Sequence, residues 1–331
     1  MKGAGMEESG AQKKHSPIIQ AWIDSPHSHR LLVGIVMLVY VSIAIVILVS
    51  WGMHRPPLRV EMVGSAMLLM LAVVIWHSVI VKGIRQTVAF FLIAFIISFI
   101  CEAIGHNYGW FFGTYTYTNA LGPRLGGVPI LIIVTWSVII YASFMLVDWL
   151  VGLNGRRPQR SWWGKSIWAL LMAATAATLT CAWDMMVDPF ATSAIWANPA
   201  ARLAAGKHPL LEPWWWWKGG PYLKELGVWR GQGGVPIGNF VGWWLAPFFI
   251  VLIFMLFFQR DNKIKGKLIN DLPVPIYAYF LVSVAPVVLM MNWFENGMNQ
   301  VALIGFFTMM PVILVSVVKL VRDYTPKPVD S

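Results

Sequence analysis

Long apolar runs separated by short polar segments dominate this chain. A membrane-spanning helix needs about 20 apolar residues. Eight runs of suitable length cover residues 31–51, 61–81, 87–105, 128–152, 166–187, 238–258, 274–294 and 299–320. Backbone N–H and C=O groups surrounded by lipid must be hydrogen-bonded within the protein, so each run predicts a helix. The fold class is therefore predicted as all-α, a polytopic transmembrane bundle of about eight helices.

The runs divide the chain into a bundle and two polar tails. Residues 1–30 form the N-terminal tail, residues 31–320 the bundle, and residues 321–331 the C-terminal tail. The N-terminal tail lacks the short apolar core and cleavage site of a signal peptide. One connection, the loop 189–237, is unusually long.

Composition and charge agree with a membrane protein. Only 12% of the 331 residues are charged, about half the share found in soluble domains. The net charge of +10 does not indicate a nucleic-acid partner, because the basic residues lie between apolar runs. Seventeen of the 25 Lys and Arg residues fall in the tails and the even-numbered connections. The positive-inside rule then predicts that both termini lie in the cytoplasm and that the long loop lies outside. The expected membrane is a bacterial inner membrane.

Several polar residues interrupt the outer halves of the helices. Glu102 lies near the end of the third run, Asp184 and Asp188 near the end of the fifth, and Asn239 at the start of the sixth. A carboxylate inside a span costs several kcal/mol, so it first suggests a functional site. The alternative for Asp188 is that Asp188-Pro189 simply ends its helix.

A pentapeptide repeat suggests an internal duplication. Gly126-Gly127-Val128-Pro129-Ile130 recurs as Gly233-Gly234-Val235-Pro236-Ile237. Each copy follows a helix that ends in acidic residues, and each opens a helix that returns to the inside. We therefore predict a duplicated helical hairpin whose symmetry axis follows the membrane normal, bringing the acids to one cavity.

The long loop carries six tryptophans: Trp196, Trp214, Trp215, Trp216, Trp217 and Trp229. Tryptophan favours the lipid–water interface, so the loop is interpreted as an interfacial anchor. A lid that receives a long apolar substrate from the bilayer is a second and compatible interpretation.

Common catalytic patterns are missing from the sequence. It has no phosphate-binding loop and no dinucleotide fingerprint. The seven histidines do not form the clusters of a di-iron oxygenase, and no metal site is predicted. Carboxylates, amides, aromatic rings and water remain as the available chemistry.

The polar and aromatic motifs resemble those of the carotenoid biosynthesis membrane proteins, which include the carotenoid 1,2-hydratases and the bisanhydrobacterioruberin hydratases. In the first half the resemblance rests on Glu102, three spaced glycines, Tyr115, Tyr117, Gly127-Val128-Pro129 and Trp136. In the second half it rests on Trp183-Asp184, Asp188-Pro189, Tyr222, Gly234-Val235-Pro236, Asn239 and Gly242-Trp243.

This resemblance implies an enzyme, a hydro-lyase that adds water to the terminal double bond of an acyclic carotenoid and forms a tertiary alcohol. Glu102 and Asp184 are then the expected acid–base pair, with Asp188 a supporting carboxylate. Substrate contacts are expected from Tyr115, Tyr117, Trp136, Trp183, Tyr222, Asn239 and Trp243. The substrate would be a carotenoid or other isoprenoid from the bilayer, water the co-substrate, and membrane lipids the surroundings. No cofactor is required.

Three alternatives remain open at the level of sequence. Asp184 and Asp188 resemble half of the aspartate pattern of membrane prenyltransferases, but no second half is found. A non-enzymatic carrier of lipids or pigments would use the buried acids for packing or gating. A different reaction at a carotenoid end group, such as isomerisation, would use the same residues.

Overall fold

Eight helical segments in the described part of the chain are long and apolar enough to span a membrane. The structure is a computed structural model that describes residues 16–57, 60–152, 161–198, 200, 212–224, 234–260 and 266–325. The helices are α1 (Pro17–Ile23), α2 (His27–Gly52), α3 (Val60–Lys82), α4 (Ile84–Tyr108), α5 (Ile130–Leu150), α6 (Trp162–Thr192), α7 (Ile237–Ile253), α8 (Lys267–Asn270), α9 (Pro273–Val282), α10 (Ala285–Met291) and α11 (Met298–Tyr324). The predicted transmembrane bundle is confirmed, and the protein is an integral membrane protein.

The seventh span is not one helix, as the sequence predicted for residues 274–294. It consists of α8, α9 and α10 in succession. Pro273 and Pro286 lie in the first turns of α9 and α10. Proline has no N–H and its ring clashes with the preceding turn, so helices restart at these positions.

The fifth span is longer than the predicted residues 166–187. Helix α6 continues through Pro189 and ends at Thr192, so Asp188-Pro189 does not end the helix. A proline inside a helix leaves the carbonyl four residues earlier without its usual donor. That carbonyl belongs to Met185, and it accepts a hydrogen bond of 3.3 Å from the Tyr222 hydroxyl. The extra turn keeps Asp188 on the same helix as Asp184.

The helices differ strongly in how deeply they are buried. Helix α5 lies at the centre, with most of its residues buried from Trp136 to Trp149. Helix α2 lies at the edge, and few of its residues are buried. The end of the bundle at which α4 and α6 finish and α5 and α7 begin is called the site end below.

Two short strands form a cap over the site end. Strand β1 (Tyr115–Tyr117) pairs antiparallel with β4 (Trp215–Trp217), and Thr116 stands opposite Trp216. A small hairpin, β2 (Arg124–Leu125) with β3 (Val128–Pro129), leads into α5. The cap therefore joins the two long connections of the protein.

The tryptophan loop is more buried than an interfacial anchor would be. Trp196, Trp214, Trp215 and Trp217 are all buried in the protein. The described part of this loop therefore covers the site end of the bundle, as a lid would. Trp229 and Gly233 lie outside the described residues, as do parts of both tails.

The two hairpins α4–α5 and α6–α7 are related as the repeated pentapeptide predicts. Pro129 and Pro236 precede α5 and α7 with nearly equal backbone angles, φ −62° and ψ 131° against φ −65° and ψ 140°. Trp136 and Trp243, each seven residues after its proline, stack on each other with ring centroids 3.9 Å apart. Equivalent residues of the two repeats therefore contact each other where the hairpins meet.

Candidate active site

Glu102 of α4 accepts three hydrogen bonds from neutral donors. Its Oε2 atom accepts from the hydroxyls of Tyr115 at 2.6 Å and Tyr117 at 2.7 Å. Its Oε1 atom accepts from the indole N–H of Trp136 at 3.0 Å. The carboxylate is buried, so these donors replace the water that it would contact outside the protein.

The strand β1 explains why both tyrosines reach the same carboxylate. Side chains alternate between the two faces of a strand, so Tyr115 and Tyr117 point the same way and Thr116 points outward. The burial pattern follows this alternation, with the two tyrosines buried and Thr116 exposed. Pairing with β4 holds the strand in place over the end of α4.

Both tyrosines are held in the neutral, donating form. Burial raises the pKa of Tyr115 and of Tyr117 well above the usual value, and the neighbouring Glu102 carboxylate raises both further. A phenol in such surroundings keeps its proton, so it donates to Glu102 throughout the physiological pH range.

Asp184 and Asp188 share one amide donor. The Asn239 side-chain N–H₂ donates to Asp184 Oδ2 at 3.1 Å and also to Asp188 Oδ2. All three side chains are buried. The Oδ1 atom of Asp184 has no hydrogen-bond partner among the described residues. Asn239 lies in the first turn of α7, whose N-terminal end contributes partial positive charge beside the two acids.

Glu102 and Asp188 line the same small cavity, called the polar pocket below. It has a volume of about 20 Å³, enough for one water molecule. The lining also includes Tyr115, Tyr117, Asn239 and Trp243, all predicted site residues. The two hairpins thus bring their acids to one place, as expected from the duplication.

The remaining lining residues of the polar pocket were not singled out from the sequence as site residues. They are Phe112, Ile132, Trp215 and Trp217. The sequence repeat could have identified Ile132 as a site position, because Ile132 follows Pro129 by three residues just as Asn239 follows Pro236. The two halves of the site therefore differ at this position, with an amide in one and an aliphatic side chain in the other.

Phe112 is wedged between α4 and α7, and two glycines make room for it. A Cβ atom added at Gly105 or at Gly242 would lie 2.5 Å from a carbon of the Phe112 ring. Real side chains do not come that close. Trp217 holds the same segment by donating its indole N–H to the Phe112 carbonyl at 2.8 Å.

The other predicted site residues lie around the polar pocket rather than in its lining. Asp184 accepts a hydrogen bond from Asn239 but is not among the residues that line the pocket. Trp136 contacts Glu102 and stacks on Trp243. Tyr222 bonds to the α6 backbone and to the backbone of Val235, and burial raises its pKa to about 12.

A much larger apolar cavity adjoins the polar pocket. It has a volume of about 560 Å³ and is bordered by residues of α2, α3, α5, α6, α9 and the tryptophan loop. Ile132 and Trp215 line both cavities and therefore form the wall between them. Trp183, also a predicted site residue, lines the apolar cavity and packs edge-on against Trp243.

No group of three His, Cys, Asp or Glu side chains suited to a metal ion occurs within the described ranges. The polar groups that converge on the pocket include two carboxylates, one amide and two phenols, and three tryptophans complete the lining with Phe112 and Ile132. Such a set can bind water, donate a proton to an apolar ligand and accept one from water.

Comparison with known proteins supports the family predicted from the motifs. The model of a family described as "Carotenoid biosynthesis protein" matches residues 62–201. This range contains Glu102, Tyr115, Tyr117, Trp136 and both aspartates. No curated protein and no solved structure matches the chain. Over residues 62–201, the segment that builds most of the site, this membrane protein is similar to the carotenoid biosynthesis proteins.

Proposed function

We propose that this protein hydrates the terminal double bond of an acyclic carotenoid and forms a tertiary alcohol. The family match supports a role in carotenoid biosynthesis. The observation that carries the specific reaction is that Glu102 and Asp188 face one water-sized pocket beside a large apolar cavity. Water can thus bind in the polar pocket, next to an apolar alkene in the larger cavity.

Asp188 is the proposed acid. Asp188 lines the polar pocket, whereas Asp184 contacts Asn239 and does not line the pocket. Two buried carboxyl groups that share a single amide donor repel each other when both are ionised, which favours one proton on the pair. That proton is available to the alkene. This choice differs from the expectation from the sequence, in which Glu102 and Asp184 formed the acid–base pair and Asp188 was a supporting carboxylate.

Glu102 is the proposed base. A carboxylate offers about four acceptor positions, and Tyr115, Tyr117 and Trp136 occupy three of them. The remaining position can accept a hydrogen bond from a water in the polar pocket. Glu102 thus orients the water and can take one of its protons.

The proposed reaction proceeds in two steps with balanced protons. Asp188 transfers its proton to the less substituted alkene carbon, and the π electrons form the new C–H bond. The other carbon becomes a tertiary cation. Water adds to this cation through oxygen, and Glu102 accepts the proton that the oxygen releases. Transfer of that proton from Glu102 to Asp188 through the next water restores the starting state.

Aromatic faces around the pocket support the cation. Trp243, Trp215 and Tyr117 line the polar pocket. Aromatic rings attract cations through the negative charge on their faces, with Trp the strongest. An alkene end group at the wall formed by Ile132 and Trp215 would lie next to these rings.

A prenyltransferase reaction is less well supported by the same site. Its substrate carries a diphosphate, which needs several cationic groups or metal ions around it. Neither cavity has a Lys or Arg among its described lining residues.

The proposed location is a bacterial inner membrane with both termini in the cytoplasm. The basic residues concentrate in the tails and the even-numbered connections, which the positive-inside rule assigns to the cytoplasm. The site end would then lie in the outer half of the bilayer.

Pigment mass analysis in a bacterium that makes a linear carotenoid tests the reaction. The wild-type protein should increase the pigment mass by one water. Asp188→Asn should lower conversion by about 10²–10⁴-fold, the usual cost of removing a positioned acid. Asp184→Asn should cost less, because Asp184 does not line the pocket.

Asp148→Asn is the matched control. Asp148 is a buried carboxylate near the opposite end of α5, so its loss should leave conversion unchanged at equal protein levels. The hydratase proposal fails if wild-type protein adds no water. The assignment of Asp188 fails if Asp188→Asn converts pigment as fast as the wild type.

A further inference from the structure

We propose that the apolar cavity is the binding site for the polyene arm of the substrate, and that the arm enters from the bilayer between α2 and α3. This inference rests on the proposed function for the identity of the ligand. The cavity volume of about 560 Å³ lies within the range of ligand sites, roughly 300–1,000 Å³.

The lining of the cavity fits a hydrocarbon chain. Its described lining residues include no charged side chain and consist mostly of aliphatic and aromatic groups. A polar or charged ligand would lose its contacts with water there without replacement. The ligand chemistry that fits is a long, apolar and unbranched or methyl-branched chain.

The cavity extends along α2. Its lining includes a stripe of one face of this helix, from Ile35 to Ile47. Twelve residues at 1.5 Å rise per residue correspond to about 18 Å. The cavity is therefore long enough to hold an extended segment of a hydrocarbon chain alongside this helix.

The opening lies on the lipid-facing side of the bundle. Leu38 of α2 and Leu69 of α3 both line the cavity and are 64% and 44% exposed. Ser42, one turn further along α2, also lines it and is exposed. Exposed residues of a membrane span face lipid, so the gap between these two helices leads from the bilayer into the cavity.

The inner end of the cavity meets the polar pocket at Ile132 and Trp215. A chain that fills the cavity from the α2–α3 gap would present its terminus at this wall. Only the terminal double bond would lie at this wall, next to Asp188 and Glu102. The same wall explains why reaction would be confined to the terminal double bond, since the interior of the chain stays in the apolar cavity.

Ile132 also sets the asymmetry of the site. It occupies the position in the first hairpin that Asn239 occupies in the second. An amide there would place a polar group in the wall of the apolar cavity. The aliphatic side chain keeps the passage apolar, while the acids and the amide remain on the other side.

Bulky substitutions at the opening test this site with closely matched controls. Ser42→Trp and Leu69→Trp place an indole in the gap. Val41→Trp and Leu68→Trp alter the neighbouring positions, which are 52% and 57% exposed and do not line the cavity. All four positions are exposed, so each variant should fold, which its gel-filtration profile would show.

The measurement is retention of a linear conjugated polyene hydrocarbon by purified protein, read as the ratio of polyene to protein absorbance after gel filtration. Ser42→Trp and Leu69→Trp should lower retention by about tenfold or more, which corresponds to about 1.4 kcal/mol of binding. The two controls should retain the polyene as the wild type does.

The result separates this site from the proposed reaction. Equal retention by all variants, or full conversion of a long carotenoid by both variants that block the gap, would overturn the binding site. A wild-type protein that retains the polyene, loses it in those two variants, and adds no water would support the site and contradict the hydratase.

Discussion

Replacing Glu102 by glutamine changes the charge at the centre of the site while keeping its shape. The hydroxyls of Tyr115 and Tyr117 can accept hydrogen bonds as well as donate them, whereas the indole N–H of Trp136 can only donate. The glutamine should therefore turn its carbonyl toward Trp136 and its N–H₂ toward the tyrosines. All three contacts survive in this one orientation.

The stability cost of Glu102→Gln follows from these contacts. A hydrogen bond to a charged group contributes about 1.5–3 kcal/mol and a neutral one about 0.5–1.5 kcal/mol. Three bonds then lose roughly 3 kcal/mol together, and the lower desolvation cost of a neutral amide offsets part of this loss. The variant should fold.

Glu102→Ala should be much less stable. It leaves three buried donors without an acceptor, at about 1–3 kcal/mol each, or roughly 3–9 kcal/mol in total. That range is comparable with the whole free energy of unfolding of many proteins, about 5–15 kcal/mol. Stability should therefore decrease in the order wild type, glutamine, alanine.

The hydration activity of these variants should not follow their order of stability. Glu102→Gln removes the proposed base and should lower hydration by about 10²–10⁴-fold at matched protein level. Conversion is measured by pigment mass, and stability by the temperature at which the detergent-solubilised protein loses its gel-filtration peak. Tyr117→Phe should cost less stability in the Glu102→Gln background than in the wild type, because the charged acceptor is gone.

Two results would refute this reasoning. Near-wild-type hydration by Glu102→Gln would show that the carboxylate is not the base. An alanine variant as stable as the glutamine variant would show that Glu102 is not the acceptor for the three donors.

Three further predictions concern orientation, packing and Tyr222. In a chain without its native cysteines, Lys218→Cys should react with an impermeant thiol reagent from outside and Thr325→Cys only after the membrane is opened; the reverse pattern would invert the topology. Gly242→Ala should lose about 1–3 kcal/mol of stability by overpacking, together with hydration, because its Cβ displaces a pocket ring. Gly34→Ala, with open space around its Cβ, should change neither. Tyr222→Phe removes one long hydrogen bond of 3.3 Å and should lower the melting temperature slightly, with hydration retained; a large loss of conversion would instead place Tyr222 in the reaction.

The sequence by itself determined the membrane spans and indicated a resemblance to the carotenoid biosynthesis proteins, which the match over residues 62–201 supports. Hydropathy is a local property, so eight runs of apolar residues predict eight spans without knowledge of how they pack. The repeated Val-Pro-Ile segment also predicted the paired hairpins, because both prolines fix the backbone at the start of a helix. The three acids were found because carboxylates are costly inside a span.

Only the tertiary structure decided which acids face each other. Asp184 and Asp188 lie four residues apart on one helical face, so their spacing did not show which of them lies closer to Glu102. Asn239 of α7 contacts both acids, and of the two only Asp188 lines the polar pocket. The continuation of α6 through Pro189 was also unpredictable from local signals, because the donor to the Met185 carbonyl comes from Tyr222, distant in sequence.

The tryptophan loop and Ile132 show the same limit. Tryptophans favour an interface by composition, but pairing with Tyr115–Tyr117 turns Trp215 and Trp217 inward. Ile132 looks like any other apolar residue of a span, and its place between two cavities depends on helices from other parts of the chain. Contacts between residues far apart in sequence arise from packing, and hydropathy carries no information about them.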